Sequence, residues 1–374
     1  MKKIFIVTGE VSGDKSAAWF LQKYKRELGE INCYAVGGSA LKNAGAILYD
    51  RMEKLNVTGI VEIIGKLRLI LNFLKKLCNY ILENNFDQVV LVDFPGFNLK
   101  LAKKLKSANS NIEIIYFSPP QVWIWGKWRV KKLKKYCDKL IVLYPFEVLW
   151  YKNQGIKAEF WGNPVYSKLQ DLSKDKYFEI RNFDEKENQI AIIPASRKPE
   201  LDKLFPLFAN IVKKFKLAYP KIKIILPLAE SFRSYVIEEK LKKYGLWRWG
   251  KDIEIVQGEK DKLKALSKCI LAITKPGTTT LELAILNIPA IVVYKTSWST
   301  YLIAKYLVQV KYMALPNLLL NKVVYHEFIQ RKCDAEKIFN FASQLYKDVA
   351  GGRGTYSTMK KDFIQLKEQF VNYY

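Results

Sequence analysis

The sequence predicts an α/β fold made of two consecutive domains, each built on a parallel sheet. The chain has 374 residues, more than one hydrophobic core usually supports, so two domains of about 150–200 residues are expected. Short apolar, β-branched segments alternate with longer segments along the chain, as they do in parallel α/β proteins. We place the domains at residues 1–165 and 166–349, with a helix at about 350–374 that would pack back on the first domain.

The predicted strands fall into two series. Amphipathic helices are expected over residues 16–28 and 356–370. Residues 167–188 are charged and poorly periodic, and we interpret them as the connection between the domains. Two such series predict two Rossmann-like domains whose sheets face a cleft. The predicted strands are residues 4–8, 33–36, 88–92, 112–117, 139–143 and 158–160, then 189–193, 223–226, 253–256, 270–274 and 290–294.

The net charge of +26, from 62 Lys and Arg against 36 Asp and Glu, has two interpretations. A lysine-rich composition alone would produce it. So would attraction to a polyanion, either nucleic acid or an anionic membrane surface.

Other counts narrow the class of protein. One histidine, His326, excludes chemistry that needs two, and we expect it to be a structural or surface residue. Five scattered cysteines without a C-x-x-C pair favour a reducing compartment, with neither disulfides nor metal. No stretch approaches the roughly 20 apolar residues of a membrane span, and no signal peptide is expected.

The loop after the first predicted strand reads Gly9-Glu10-Val11-Ser12-Gly13-Asp14. Ligands of doubly wound sheets bind at this carboxyl edge. The loop departs from Gly-x-Gly-x-x-Gly, and its carboxylates would repel a pyrophosphate. It is better suited to a sugar, because carboxylates accept hydrogen bonds from sugar hydroxyls.

Three loops of the second domain predict a nucleoside-diphosphate pocket that needs no metal. Gly277 allows a ligand close to the backbone, and the helix that follows it presents an N-terminus that attracts phosphate. Glu282, one turn further, could accept both hydroxyls of a ribose, although a capped helix with a surface glutamate would look the same. Arg197 could clamp a diphosphate. The loops read Pro194-Ala195-Ser196-Arg197-Lys198-Pro199-Glu200, Lys275-Pro276-Gly277-Thr278 and Leu315-Pro316-Asn317.

The first domain carries three further features. Asp93 follows the predicted strand 88–92, so it is expected at the edge where catalytic groups collect, unless it only caps the next helix. Residues 118–129 contain three tryptophans and several cations, a composition typical of an interfacial anchor or of a platform for single-stranded nucleic acid. Residues 67–81 form an apolar helical stripe flanked by Lys and Arg, which fits a core helix or a helix that dips into headgroups.

Taken in order, these motifs resemble the lipid-A-disaccharide synthase family, from residue 4 to about 330. The resemblance implies a GT-B fold and an inverting transfer. The sugar 2,3-diacylglucosamine would pass from UDP to the 6-hydroxyl of 2,3-diacylglucosamine 1-phosphate (lipid X), giving lipid A disaccharide 1-phosphate and UDP in a Gram-negative pathway. The motifs that carry it are residues 9–14, 57–62, 93–98, 118–125, 145–147, 194–200, 277–282 and 315–319.

On this resemblance we assign roles to individual residues. Without a suitable histidine the general base must be a carboxylate; Asp93 is the first choice, and Glu10 or Asp14 the second. No cofactor or metal is implied. The expected acceptor-binding residues are Ser12, Gly13, Asp14, Gly38, Asn98, Ser118, Gln121 and Trp123; the UDP-binding residues are Ser196, Arg197, Glu200, Gly277, Thr278, Glu282 and Asn317; and the acyl-chain region holds Val57, Ile60, Ile63, Ile64, Leu67 and Leu71.

Both substrates are acylated, so the resemblance implies work at an anionic membrane surface, on the cytoplasmic face of the inner membrane. It also allows a homodimer. Three positions depart from the family pattern: Asn163 stands where a histidine is usual, Ala195 where glycine is common, and Pro276 where serine is common.

Two other functions stay open on the sequence. One is a different GT-B enzyme acting on a UDP-N-acetylglucosamine-type donor, such as a peptidoglycan glucosaminyltransferase. The other is a basic nucleic-acid-binding protein, which would account for the charge and the tryptophans but not for Arg197, Glu282 and Asp93.

Overall fold

The structure, a computed structural model, describes residues 2–52, 60–109, 111–173, 187–195, 197–229, 232–296 and 310–371. For residues 60–67 it describes the backbone only. The chain divides after Pro164 into two compact units. Each unit is built on one parallel sheet, so the predicted pair of α/β domains is confirmed.

The sheet of the first unit has the strand order β3-β2-β1-β4-β5-β6-β7, and all its neighbouring strands run parallel. The order reverses between β1 and β4, which places a topological switch point at their carboxyl ends. The strands are β1 (Lys2–Val7), β2 (Ile31–Gly37), β3 (Ile47–Arg51), β4 (Gln88–Val92), β5 (Glu113–Phe117), β6 (Lys139–Val142) and β7 (Ala158–Phe160).

Helices cover both faces of this sheet because its central strands are apolar on both sides. Phe5 and Val7 of β1 pack into one buried cluster, and Ile4 and Ile6 pack into another. Prolines at the first turn of α4 and α6 fix where those helices begin. The helices are α1 (Val11–Leu28), α2 (Ser39–Asn43), α3 (Ile60–Glu83), α4 (Pro95–Ala108), α5 (Arg129–Tyr136) and α6 (Pro145–Asn153).

The sheet of the second unit has the order β10-β9-β8-β11-β12-β13 and is also parallel throughout. Its switch point lies between β8 and β11, so the loops after these two strands are neighbours. The strands are β8 (Gln189–Ile193), β9 (Lys223–Pro227), β10 (Ile253–Val256), β11 (Leu271–Thr274), β12 (Ala290–Tyr294) and β13 (His326–Ile329).

The last helix of the chain packs within the second unit, on three of that unit's helices. It buries Tyr356, Met359, Phe363, Leu366 and Phe370 on one face, as the predicted amphipathic pattern requires. The helices of this unit are α7 (Pro164–Ser173), α8 (Lys198–Ala218), α9 (Ser234–Lys243), α10 (Glu259–Ser267), α11 (Thr278–Ile285), α12 (Leu315–Leu320), α13 (Ala335–Ala350) and α14 (Thr355–Val371), of which α14 contacts α11, α12 and α13.

Two features differ from the sequence analysis, and a third agrees with it. Strands β3 and β13 were not predicted, because both are edge strands with polar, partly exposed side chains instead of an apolar run. Residues 167–173, interpreted as part of a connection, continue helix α7. His326 begins β13 and stacks on Phe341 with ring centroids 4.6 Å apart, which fits the expected structural role.

Within the described part of the chain, no helix is both long enough and apolar enough to cross a membrane.

Candidate active site

Asp93 and Ser118 meet at the carboxyl edge of the first sheet. They follow β4 and β5, which are adjacent in the sheet, and the Ser118 Oγ donates a hydrogen bond of 2.6 Å to Asp93 Oδ1. The backbone at Asp93, Phe94 and Ser118 is left-handed, with φ of 48°, 44° and 53°. Few non-glycine residues adopt this region, and such residues cluster at functional sites.

Asn98 on α4 holds the turn that carries Asp93. Its side chain is fully buried, and its Nδ2 donates to the carbonyl oxygens of Val92 and Asp93 at 3.0 and 2.8 Å. The hydroxyl of Tyr116 donates to the same Asp93 carbonyl at 2.5 Å. Both donors bind backbone carbonyl oxygens and do not contact the Asp93 carboxylate. Asn98 therefore positions the loop through hydrogen bonds to its backbone.

The Asp93 carboxyl group has the properties of a general base. Burial raises its pKa to about 6, the hydrogen bond from Ser118 opposes that rise, and the nearby Glu10 carboxylate adds to it. A carboxylate with a pKa near 6 is ionised at neutral pH, yet binds a proton more strongly than an exposed aspartate.

The start of α1 lies close to Asp93, and Gly13 allows this helix to approach Thr8. A Cβ at Gly13 would lie 2.4 Å from Thr8 Oγ1 and 3.5 Å from Asp93 Oδ2. The neighbouring Glu10 and Ser12 are exposed at the beginning of this helix. Four predicted site residues (Glu10, Ser12, Gly13 and Asp93) therefore share one edge of the sheet.

Asp14 is occupied inside the protein. Its buried carboxylate accepts hydrogen bonds from the amides of Gly38, Ala40 and Leu41, at 2.7, 2.9 and 3.3 Å. It thereby caps α2, and a Cβ at Gly38 would approach Asp14 Oδ2 to 2.7 Å. This geometry favours a structural role for both residues and does not fit Asp14 as an alternative base.

The loop of residues 118–128, here called the tryptophan loop, is fixed by a residue that the sequence analysis left without a role. Trp123 Nε1 donates to Glu147 Oε1 at 2.8 Å. Glu147 is third in the first turn of α6, and its Oε2 also accepts the amides of Leu143 and Tyr144, at 3.2 and 3.0 Å. Glu147 thus accepts the amide of the N-cap residue Tyr144, as the glutamate of a capping box does, although the N-cap residue is not the Ser or Thr of that sequence signature.

Asn163 also binds this turn. Its buried side chain donates to the Leu143 carbonyl oxygen at 3.1 Å. An asparagine at the position where a histidine is usual thus makes a bond to the β6–α6 turn.

Several apolar side chains of the first unit are exposed. Leu69 and Leu71 on α3 are exposed, whereas Leu74, Leu77, Cys78 and Ile81 further along the helix are buried in the core. Of the described side chains of α3, Leu69 and Leu71 thus fit the interfacial role, and the buried ones further along fit the core role. Trp125 and Trp128 are exposed, and the guanidinium of Arg129 lies 4.3 and 5.5 Å from the centroids of their rings. Val57 and the side chains of Ile60, Ile63, Ile64 and Leu67 lie outside the described residues.

In the second unit, an ion pair joins the first turn of α8 to the loop after β11. Lys275 Nζ lies 2.8 Å from Glu200 Oε2. Arg197 is the exposed N-cap of α8. Burial and the charge of Glu200 raise the pKa of Tyr294, and the charge of Arg197 opposes this rise. Gly277, with φ of 144°, is the N-cap of α11, and the space where its Cβ would point is open. Ser196 lies outside the described residues.

The two remaining predicted UDP contacts differ from each other. Glu282 on α11 forms an ion pair with Lys262, with Nζ–Oε2 at 2.6 Å, and both side chains are partly exposed. Asn317 is fully buried. Its Nδ2 donates to the Tyr325 carbonyl and to Glu327, and its Oδ1 accepts the amides of Val324 and Tyr325.

These four bonds use the whole capacity of an asparagine amide. The Asn317 side chain therefore ties α12 to β13, and the expectation that it contacts the nucleotide does not fit this geometry.

A cavity of about 330 Å³ opens at the carboxyl ends of β9 and β10. It lies in the same unit as Gly277 and Arg197, and the sequence analysis did not identify it. Its lining residues are Leu228, Ala229, Phe232, Arg233, Gln257 and Gly258.

Comparison with known proteins identifies the family. A sequence model described as lipid-A-disaccharide synthetase matches residues 4–373. The chain belongs to this family. It is 32% identical over 348 residues to lipid-A-disaccharide synthase 1 of Legionella pneumophila strain Philadelphia 1, covering 92% of this chain and 88% of that protein. It is 28% identical over 366 residues to the lipid-A-disaccharide synthase of Anaeromyxobacter dehalogenans, covering 98% and 94%. The protein is thus a glycosyltransferase of lipid A disaccharide synthesis.

Solved structures share the fold of this family member. A glycosyltransferase from Rickettsia africae has a TM-score of 0.57 at 14% identity, covering 100% of this chain and 95% of that one. The UDP-GlcNAc 2-epimerase from Neisseria meningitidis has a TM-score of 0.58 at 11% identity, covering 100% of both chains. At such identities the likeness concerns the fold alone, and it confirms the expected GT-B class.

Proposed function

We propose that the protein transfers 2,3-diacylglucosamine from UDP to the 6-hydroxyl of lipid X, with inversion at C1. The observation that carries this proposal is the Asp93 carboxyl group at the switch point of the first sheet, with its pKa raised to about 6. A single in-line displacement needs one base for the hydroxyl proton, and this group can serve as that base.

In the proposed step the 6-hydroxyl oxygen of the acceptor attacks C1 of the donor sugar, and its proton passes to an oxygen of Asp93. The bond from C1 to the diphosphate oxygen breaks, and UDP leaves with the electron pair. Ser118, which donates to Asp93 Oδ1 at 2.6 Å, keeps the carboxylate oriented. General-base assistance is worth about 10²–10⁴-fold in rate.

The second unit would bind the UDP. The negative charge on the departing diphosphate needs positioned donors. Arg197 at the N-cap of α8 and the first turn of α11 after Gly277 can supply them, since helix N-termini attract phosphate. Glu282 has a second carboxylate oxygen beyond the one paired with Lys262, and it would accept the ribose hydroxyls. The cavity at the carboxyl ends of β9 and β10 would bind the uracil ring of UDP.

The acylated substrates place the reaction at a membrane surface, which we propose is anionic and on the cytoplasmic side of the inner membrane. The exposed side chains of Leu69, Leu71, Trp125 and Trp128 support this proposal, because apolar and tryptophan side chains partition into the interface. The net charge of +26 would attract anionic headgroups.

The deciding experiment is incubation with UDP-2,3-diacylglucosamine and lipid X in mixed micelles. We expect equal amounts of UDP and of disaccharide 1-phosphate, with β linkage if the donor is α. UDP release without disaccharide, or turnover with UDP-N-acetylglucosamine but not with the acylated donor, would contradict the proposal.

A further inference from the structure

Glu147 is a buried carboxyl group that the proposed reaction does not use. It is 2% exposed, and burial raises its pKa to about 7 against three hydrogen bonds that lower it. Burying a carboxylate is costly unless its oxygens are bonded. Here every bond comes from one of two loops, the tryptophan loop and the turn between β6 and α6.

The two loops differ in how they are held. The β6–α6 turn is continuous with α6, in whose first turn Glu147 lies, and it binds Glu147 Oε2 through two backbone amides. The tryptophan loop reaches Glu147 by one side-chain bond, from Trp123 Nε1 to Oε1. The Trp123 ring also packs edge-on against Phe146, with centroids 4.9 Å apart. Glu147 is thus one of two residues of α6 that hold the tryptophan loop by hydrogen bonds; the other is Tyr151, whose hydroxyl donates to the Pro120 carbonyl oxygen at 3.1 Å.

The tryptophan loop also contacts Asp93. Ser118, the first residue of the tryptophan loop, donates to the Asp93 carboxylate. Burial and the charges of Glu147 and Asp93 raise the pKa of Tyr144, the residue whose backbone amide binds Glu147 Oε2.

We propose that Glu147 is a positioning residue that sets the affinity for the acceptor sugar by holding the tryptophan loop beside Asp93. The inference rests on the proposed function, because it assigns the loop to the acceptor of that reaction. Glu147 itself, being buried, touches no substrate in this scheme.

The first test is Glu147→Gln. The amide oxygen can still accept from Leu143 and Tyr144, but the amide NH₂ then faces the indole N–H, so two donors oppose each other. A buried donor left without an acceptor is unfavourable, so the contact between the loop and residue 147 is weakened. We expect the KM for lipid X to rise about tenfold or more, while the KM for the UDP-sugar is unchanged and kcat stays within about threefold.

The second test is Trp123→Phe, alone and combined with Glu147→Gln. Phenylalanine removes the indole N–H and keeps an apolar ring against Phe146. In the double variant no donor opposes the glutamine NH₂. We therefore expect the double variant to bind lipid X no worse than Trp123→Phe alone, which is a strongly non-additive result.

A matched control is Glu159→Gln. Glu159 Oε2 accepts the indole N–H of Trp161 at 3.0 Å on the edge strand β7, away from the tryptophan loop. We expect this variant to leave the KM for lipid X unchanged.

The outcomes are distinguishable. If the wild-type protein makes disaccharide but Glu147→Gln keeps the wild-type KM for lipid X, or raises both KM values equally, the inference is wrong and the proposed function stands. Additive effects in the double variant also refute it. If the wild-type protein makes no disaccharide, the proposed function fails and this inference fails with it.

Discussion

At the scale of single residues, the candidate site depends on one carboxyl group in a partly buried place. The charge of Asp93 is disfavoured by burial and by Glu10 and favoured by Ser118, and the balance leaves its pKa at about 6. Glu10 and Ser118 lie in different loops of the first sheet, so the effect of each on this pKa can be removed by itself.

The first prediction is that Asp93→Asn abolishes turnover but not folding. Asparagine keeps the shape and can still meet the Ser118 hydroxyl, but it cannot accept the proton of the attacking hydroxyl. We expect kcat to fall by about 10²–10⁴-fold, with circular dichroism, thermal midpoint and UDP binding close to wild type. A variant that keeps more than a tenth of the wild-type kcat would rule out Asp93 as the base.

The second prediction concerns the pH dependence of the reaction. A base works only when deprotonated, so kcat/KM should fall as pH drops through about 6, the pKa of Asp93. Glu10→Gln removes a negative charge that raises this pKa, so the acid limb should move to lower pH. Ser118→Ala removes a hydrogen bond that lowers it, so the limb should move to higher pH.

Profiles of kcat/KM between pH 4.5 and 8 would measure these opposite shifts. Identical limbs in all three proteins would show that another group controls the profile. Loss of the plateau itself in Glu10→Gln would point to Glu10 as the base.

At the scale of helices and strands, the sequence predicted the central elements well. Strands β1, β4, β5, β8 and β11 are buried apolar runs, a pattern that the sequence displays directly. The edge strands β3 and β13 were missed, since Tyr49, Asp50, His326 and Glu327 interrupt the apolar pattern. The other two edge strands, β7 and β10, were predicted, so the polar residues of β3 and β13 are the reason that these two were missed.

The candidate site was predictable in part for a related reason. Asp93 could be placed at a sheet edge because the strand before it was evident. For Asp14 and Asn317 the sequence offered polar residues in loops, but it could not show that backbone amides fill their oxygens. The sequence indicated no role for Glu147, because its partner Trp123 is distant in sequence.

The third prediction separates a structural asparagine from a ligand-binding glutamate. Asn317→Ala leaves several buried polar groups of α12 and β13 unpaired, so we expect a loss of about 3 kcal/mol and a Tm lower by roughly 6–12 °C. Glu282→Gln should weaken UDP binding by about tenfold with little change in Tm.

Thermal unfolding and UDP titration of the two variants would test this. A normal Tm in Asn317→Ala together with lost UDP binding would instead show that Asn317 contacts the nucleotide.

At the scale of the whole molecule, the proposed membrane binding depends on charge and on exposed apolar side chains. The net charge of +26 has long reach at low salt, whereas the leucines and tryptophans act only on contact. A protein that uses both should bind anionic vesicles in a salt-dependent way and retain some binding when the charge is screened.

The fourth prediction therefore compares leucines of similar exposure. Leu69 and Leu71 on α3 are 67% and 43% exposed, and Leu217 on α8 is 74% exposed. We expect Leu69→Ser with Leu71→Ser to weaken binding to vesicles with 30% anionic lipid by about tenfold, since each buried leucine is worth about 1.5–3 kcal/mol when fully transferred. Leu217→Ser should have no effect.

Vesicle co-sedimentation at 0.1 and 0.5 M NaCl would measure both contributions. Binding that is indifferent to salt, to anionic lipid and to the two leucines would contradict the proposed membrane surface.

The left-handed backbone at Asp93, Phe94 and Ser118 limits how this enzyme can be made more heat-resistant. A non-glycine residue in this backbone conformation costs of order 1–3 kcal/mol of stability, so a substitution by glycine would relieve strain. Yet Phe94 fills the space that a side chain at Gly9 would need, 2.6 Å from its ring, and Ser118 bonds the carboxylate. Relaxing these turns would exchange activity for robustness, and improvements are better sought on surfaces remote from them.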